Sequence, residues 1–292
     1  MADPKAFHDI QSAVNAVPPV QGRASRWVID VAPGVYAERV RIPREAGPIL
    51  LRGAGAERTK VVVERNANDL DPSGKPVGTF ESGVFRVDAD SFEAQGLTIE
   101  NASRKVGQAV AVRLDGDRIV FRQCAVLGRQ DTLLVNKGRH YFERCAIAGT
   151  VDFVFGAATA YFDRCDIRIL GKGYVAAPST PLEQPFGLVF VDCDVGLQAE
   201  HGVQAYLARP WREHGAALFL RCRLGACVRK EGWDNWRNPE REKTARFQEA
   251  ESTGPGAEQA ARVKWAKPLA AAGGIAPAKV LGGTDAWDPV TR

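Results

Sequence analysis

Five copies of the pattern Phe-x-x-Cys run through this chain, at Phe121 to Cys124, Phe142 to Cys145, Phe162 to Cys165, Phe190 to Cys193 and Phe219 to Cys222. In every copy the residue two beyond the cysteine is apolar: Val126, Ile147, Ile167, Val195 and Leu224. Three matched positions per copy mean one environment met repeatedly. The cysteine intervals of 21, 20, 28 and 29 residues fit a solenoid whose later turns carry insertions. Stretches such as RIVFRQCAVLG and LVFVDCDVG are rich in β-branched and aromatic residues and read as strands. Leucine-rich repeats need a leucine-dominated consensus, and helical repeats need paired helices of period 3.6; neither is present. A parallel β-helix remains. Phe92 with Gln95 and Leu97 reads as a degenerate sixth copy.

A thiol is small and apolar enough to stack inside such a coil, so the cysteines predict an internal ladder with no need to pair. No CxxC pair occurs among the six cysteines, and no metal site is expected. Open coil ends would leave strand edges and apolar interior in water, so both need caps. Phe7, Ile10, Val14 and Val17 fall at helical spacing behind Asp3 and Pro4, which predicts a short N-terminal capping helix. Beyond Gly256, AEQAARVKWAKPLAAAGG reads as a C-terminal helical tail that folds back along the solenoid.

No low-complexity stretch or long charge run divides the 292 residues, so one domain over 1–292 is expected. Hydrophobic residues at 45% and charged residues at 25% argue against disorder. A net charge of +4 leaves the partner open between an acidic polysaccharide, a phosphate compound and none. The first twenty residues hold no continuous apolar stretch of the length a secretory signal needs, and no later segment is long and apolar enough for a bilayer, which leaves location open at this point.

The repeat also aligns two carboxylates. FRQCAVLGRQD ends in Asp131 and FERCAIAGTVD ends in Asp152, each seven residues after its cysteine. If the cysteines stack, the aspartates sit on adjacent turns about 4.8 Å apart. Two carboxyl groups that close do not both ionise readily, so one is expected to keep a proton, giving an acid beside a nucleophile. Either aspartate alone, following Gly128 or Gly149, would read as a turn residue. The pair in register, followed by TLLV and FVF, reads as a site.

At these residues the chain resembles the pectin methylesterase family. PGVYAE (33–38), QAVAVR (108–113), GRQDTL (128–133), GTVDFVFG (149–156), YLARPW (206–211), EGWDNW (231–236) and TGPGA (253–257) are similar to its motifs, in its order. The resemblance implies a right-handed parallel β-helix and hydrolysis of the methyl esters of homogalacturonan in pectin, releasing methanol. Carried over by position, Asp152 would be the nucleophile and Asp131 the acid and base. Arg209 would hold Asp152, and the amides of Gln108 and Gln130 would receive the oxyanion. Thr79, Phe155, Trp211 and Trp233 would hold the substrate, while Tyr36 and Glu38 read as structural.

The family pattern implies no cofactor or metal, no nucleic-acid or membrane partner, a monomer, and a secreted or periplasmic location. Ala208 stands where the family usually has Gly, TFESG (79–83) matches only part of its motif, and YVAAPST (174–180) lacks a polar stretch. Parallel β-helices also host polysaccharide hydrolases and lyases, and a carbohydrate-binding β-helix without catalysis is a further alternative.

Overall fold

The computed structural model describes residues 6–19, 25–198, 202–267, 269 and 274–291. Its strands form three parallel sheets of nine, eight and seven strands, and each of the first seven turns of the coil adds one strand to each sheet. One turn runs through Ile119–Arg122, Ala125–Leu127 and Leu133–Val135; the next runs through Arg139–Glu143, Ala146–Gly149 and Val154–Gly156. The fold is an all-β, right-handed parallel β-helix. Among the described residues no helix is long and apolar enough to cross a membrane.

The Phe-x-x-Cys spacing has a backbone cause. In a continuous strand, residues three apart face opposite sides, yet both Phe and Cys are buried in the same core. The residue before each cysteine, Gln123, Arg144, Arg164, Asp192 or Arg221, has a φ between 49° and 54°. That left-handed residue turns the chain from the first sheet into the second and points both side chains inward. What reads as one strand in RIVFRQCAVLG is two strands meeting at Gln123.

Equivalent residues stack in register, with Phe121 on Phe142, Phe142 on Phe162, Phe162 on Phe190 and Phe190 on Phe219. Ring centroids close from 5.3 Å to 4.4 Å along this series. All six cysteines are free and buried. Four thiols donate to a phenylalanine carbonyl of the preceding turn, as Cys145 Sγ does to Phe121 O at 3.4 Å and Cys193 Sγ to Phe162 O at 3.3 Å. A thiol fills the corner and adds a weak donor to it.

Phe162 is stacked on both faces, at 4.7 Å from Phe142 and 4.5 Å from Phe190. Phe162→Ala is expected to lower unfolding stability by roughly 3–5 kcal/mol, because neither neighbour can close the gap without breaking register. Denaturant unfolding reads this directly, and a loss below about 1 kcal/mol would mean that the ladder carries little of the packing.

Three expectations need correction. The sixth copy is offset by two residues: Ala94, not Phe92, pairs with Phe121, and Ile99 pairs with Val126. Phe92 shares the inward face of that strand, and its ring lies 6.2 Å from Phe121 over the small Ala94. The N-terminal helix spans Ile10–Asn15 and is capped by Asp9, whose side chain accepts from Ser12 N; Asp3 and Pro4 lie outside the described residues. Glu38 explains its structural part here, accepting from the backbone N–H groups of Ile10 and Gln11.

Among the described residues beyond Gly256 the tail is mostly turns and irregular backbone, with a 3-10 turn at Gln259–Ala261 and one helix at Pro277–Leu281, while 268 and 270–273 of the expected helical stretch lie outside the described residues. That helix buries Val280 and Leu281 with Tyr141 and Tyr161 on the outside of the first sheet. Tyr161 Oη donates to Ile275 O, and Arg139 pairs with Asp285, which tie the tail to the coil.

Candidate active site

The third sheet positions the two aspartates. Leu133 pairs with Val154, and Val154 with Ala176. Two residues upstream, the same register brings Asp131 beside Asp152 on adjacent turns, with Tyr174 on the turn after. Asp131 N donates to Val151 O at 3.0 Å, the bond expected of that parallel alignment. Both aspartates are left-handed, with φ of 61° and 51°, at the corner that leads into the third sheet. Aspartate tolerates this region better than most residues.

Glycine makes the second corner tight: a Cβ on Gly149 would lie 2.2 Å from the Cβ of Phe153. At the end of the same strand, Gly156 has a φ of 131°, and a Cβ there would meet Val135 O at 1.9 Å. The motif GTVDFVFG therefore has glycine at both ends for steric reasons.

Both carboxyl groups are almost withdrawn from water, at 9% exposure for Asp131 and 7% for Asp152. Arg209 holds Asp152 in a two-pronged ion pair, Nε to Oδ1 at 2.8 Å and Nη2 to Oδ2 at 2.6 Å. Burial raises Asp152 above the usual carboxylate range, while the hydrogen bonds and charge of Arg209 pull it back down. Asp131 has no such partner. Burial first, and then the charge of Asp152, push it up to about 8, against smaller opposing pulls from Arg209 and a Gln130 hydrogen bond. Near neutral pH the arrangement favours a proton on Asp131 and a charge on Asp152.

These groups open into a cleft of about 510 Å³, lined also by Thr79, Phe80, Gln108, Gln130, Phe155, Ala177, Trp211 and Trp236. Eight of the nine residues singled out from sequence thus share one cleft. Trp211 packs edge-on against Phe155 at 5.9 Å, giving an apolar wall beside the carboxylates. The family model for pectinesterase matches residues 2–272. The chain belongs to the pectinesterase family.

Among curated relatives, this pectinesterase is 35% identical to Pectinesterase 31 of Arabidopsis thaliana, over 90% of its own length and 84% of the relative's. Among solved structures it superposes on the pectin methylesterase PemA of Erwinia chrysanthemi with a TM-score of 0.87 at 30% identity, covering 99% and 96% of the two chains. Carrot pectin methylesterase gives 0.88 at 29% identity, covering 96% and 91%. A pectin methylesterase in complex with hexasaccharide VII gives 0.86 at 30% identity, covering 98% and 95%.

Trp233 is the ninth residue, and its assignment to the cleft is overturned. It is 1% exposed and lies between Phe219 at 5.9 Å and Phe247 at 5.1 Å, closing the end of the phenylalanine stack. The reason is register: Trp233 bridges Ala208, whose side chain faces the interior, so the indole points inward too. Trp236 lines the cleft instead. Asp234 accepts from Trp236 N at 2.8 Å, in a turn where Trp236 has a φ of 60°. The Asp-x-Trp spacing in EGWDNW was the available signal for that turn.

In this pectinesterase the extra methyl of Ala208 is fully buried in the core, so it does not narrow the approach to Arg209. Phe80 and Ala177, given no role in the sequence, line the cleft, and Tyr174, also given none, packs against Arg209.

Proposed function

We propose that this protein removes methyl esters from the galacturonate units of pectin, with Asp152 as nucleophile and Asp131 as acid and base. The observation that carries the reading is the asymmetric pair itself, one buried carboxylate clamped by a guanidinium and its neighbour left without one. An Asp152 oxygen attacks the ester carbonyl carbon and forms a tetrahedral oxyanion. The side-chain amides of Gln108 and Gln130, both at the cleft, are the donors for that oxyanion; a single such donor is worth about 3 kcal/mol of barrier.

As the intermediate collapses, the bond to the methoxy oxygen breaks and Asp131 gives that oxygen its proton, releasing methanol. The sugar carboxyl is left joined to Asp152 as an anhydride. Asp131, now ionised, takes a proton from water as the water attacks the anhydride carbonyl. Hydrolysis returns Asp152 as a carboxylate and leaves a free galacturonate. Phe155, Trp211 and Trp236 supply faces for sugar rings, and Thr79 a hydroxyl at the cleft edge.

The test is methanol release from highly methylated pectin with chain length followed in parallel. Methanol without shortened chains supports the reading. Shortened or unsaturated chains without methanol would overturn it in favour of a glycosidic-bond enzyme.

The pH profile follows from the pair. The first step needs Asp131 protonated, so its rate is expected to fall as pH rises through about 8. It also needs Asp152 ionised, so the rate falls on the acid side, with a limb above the ordinary carboxylate range because burial raises that group. Single-turnover rates across pH read both limbs. A rate still climbing well above pH 8 would remove Asp131 as the proton donor.

A further inference from the structure

An arginine that must present two N–H groups in the plane of one carboxylate has a long, freely rotating stem, so its alignment depends on what covers the faces of the guanidinium. In Arg209 both faces are covered. Its Cζ lies 3.8 Å from the ring centroid of Tyr174 on one side and 3.8 Å from that of Trp236 on the other. The edge left free is the one that binds Asp152.

The two covers differ in kind. Trp236 sits in a loop turn, whereas Tyr174 belongs to the strand Gly173–Pro178, in the same column as Asp152 one turn away. Tyr174 is itself braced from behind. Tyr206, its partner one turn on, stacks against it at 5.5 Å and 10°, and Arg229 lies 4.8 Å over the Tyr206 ring. Tyr174 does not line the cleft.

We infer that Tyr174 is a positioning residue, the rigid wall that holds the Arg209 guanidinium coplanar with the Asp152 carboxylate. Its kinetic consequence rests on the esterase reading above; its effect on Arg209 does not. With the ring gone, the guanidinium turns out of plane and water reaches its open face. Asp152 then spends part of its time without aligned donors and ionises less readily, while substrate contacts in the cleft are unchanged.

Two variants test this. Tyr174→Leu removes the ring face, and Tyr174→Phe keeps the face and loses only the hydroxyl. In Tyr174→Leu, kcat for methanol release is expected to fall roughly tenfold to thirtyfold, the scale of one desolvated cation–π contact. KM should stay within about twofold and the acid limb of the pH profile should move upward, because Asp152 is less well held as an anion. Tyr174→Phe should rescue both.

Independently of activity, solvent exchange of the Arg209 Nε–H, followed by NMR, should speed up in Tyr174→Leu and return in Tyr174→Phe. Unchanged exchange in Tyr174→Leu, or equal losses in both variants, would overturn the inference. Protein that releases no methanol at all would instead overturn the proposed function, leaving the exchange measurement to decide on Tyr174.

Discussion

Asp152→Asn is expected to lower methanol release from highly methylated pectin by at least about 10⁴-fold, the scale seen when a covalent nucleophile is removed. The amide has nearly the same shape, so the corner at φ 51° and the stack beneath it should survive. What disappears is the negative oxygen that attacks the ester in the proposed mechanism. The change also removes the charge beside Asp131, one of the two causes that raise its carboxyl. A lower Asp131 pKa in the variant, followed by carboxyl NMR, would report the coupling without any turnover. Circular dichroism should match the parent, while the denaturation midpoint falls, because the variant leaves the Arg209 guanidinium without its charged partner. Turnover within tenfold of the parent would remove Asp152 from the mechanism.

Arg209→Met should come second, with a loss of about 10²–10³ in kcat/KM, because Asp152 loses the two donors that orient it and the charge that keeps it ionised. Asp152 would remain at 7% exposure with no cation to offset its burial. It avoids the full cost by taking up a proton, so its folded-state pKa rises further. The acid limb of the rate profile therefore moves to higher pH, and activity partly recovers on the alkaline side until Asp131 deprotonates.

Stability follows the same sign. A carboxyl whose pKa is raised by folding favours the folded state at low pH and loses that contribution as pH rises through the folded value. Arg209→Met should accordingly be closest to the parent in stability under acid conditions and fall behind it as pH increases. An acid limb that stays where it is in the parent would show that Arg209 does not set the ionisation of Asp152.

The ladder, its period and the stacked aspartates were legible because a solenoid repeats one local environment. Phe162 and Cys165 meet the same neighbours as Phe142 and Cys145 one turn earlier, so the constraint is written into the chain at a fixed interval. The ends of the coil break that logic. The helix over Ile10–Asn15 starts at Asp9 because Glu38, distant in sequence, receives its first N–H groups. In the C-terminal stretch the described helix is the short one at Pro277–Leu281, whose Val280 and Leu281 pack on tyrosines of the first sheet, a contact that the local sequence does not announce.

The same division runs through the site. Asp131 and Asp152 are equivalent positions of a repeat, and their spacing from Cys124 and Cys145 alone places them side by side. Trp233 and Trp236 are not repeat positions, and three residues of separation leave open which indole faces the core. The bridge from Ala208 to Trp233 and the turn at Asp234 decide it. The sandwich of Tyr174 and Trp236 around Arg209 likewise joins residues from three separate turns.

From its amino acids alone, this protein's coil, its stacking column and the adjacency of its acids were determined, because periodic contacts need only the interval. Which acid keeps the proton was decided by tertiary structure, because ionisation depends on burial and on a cation brought from 57 residues away.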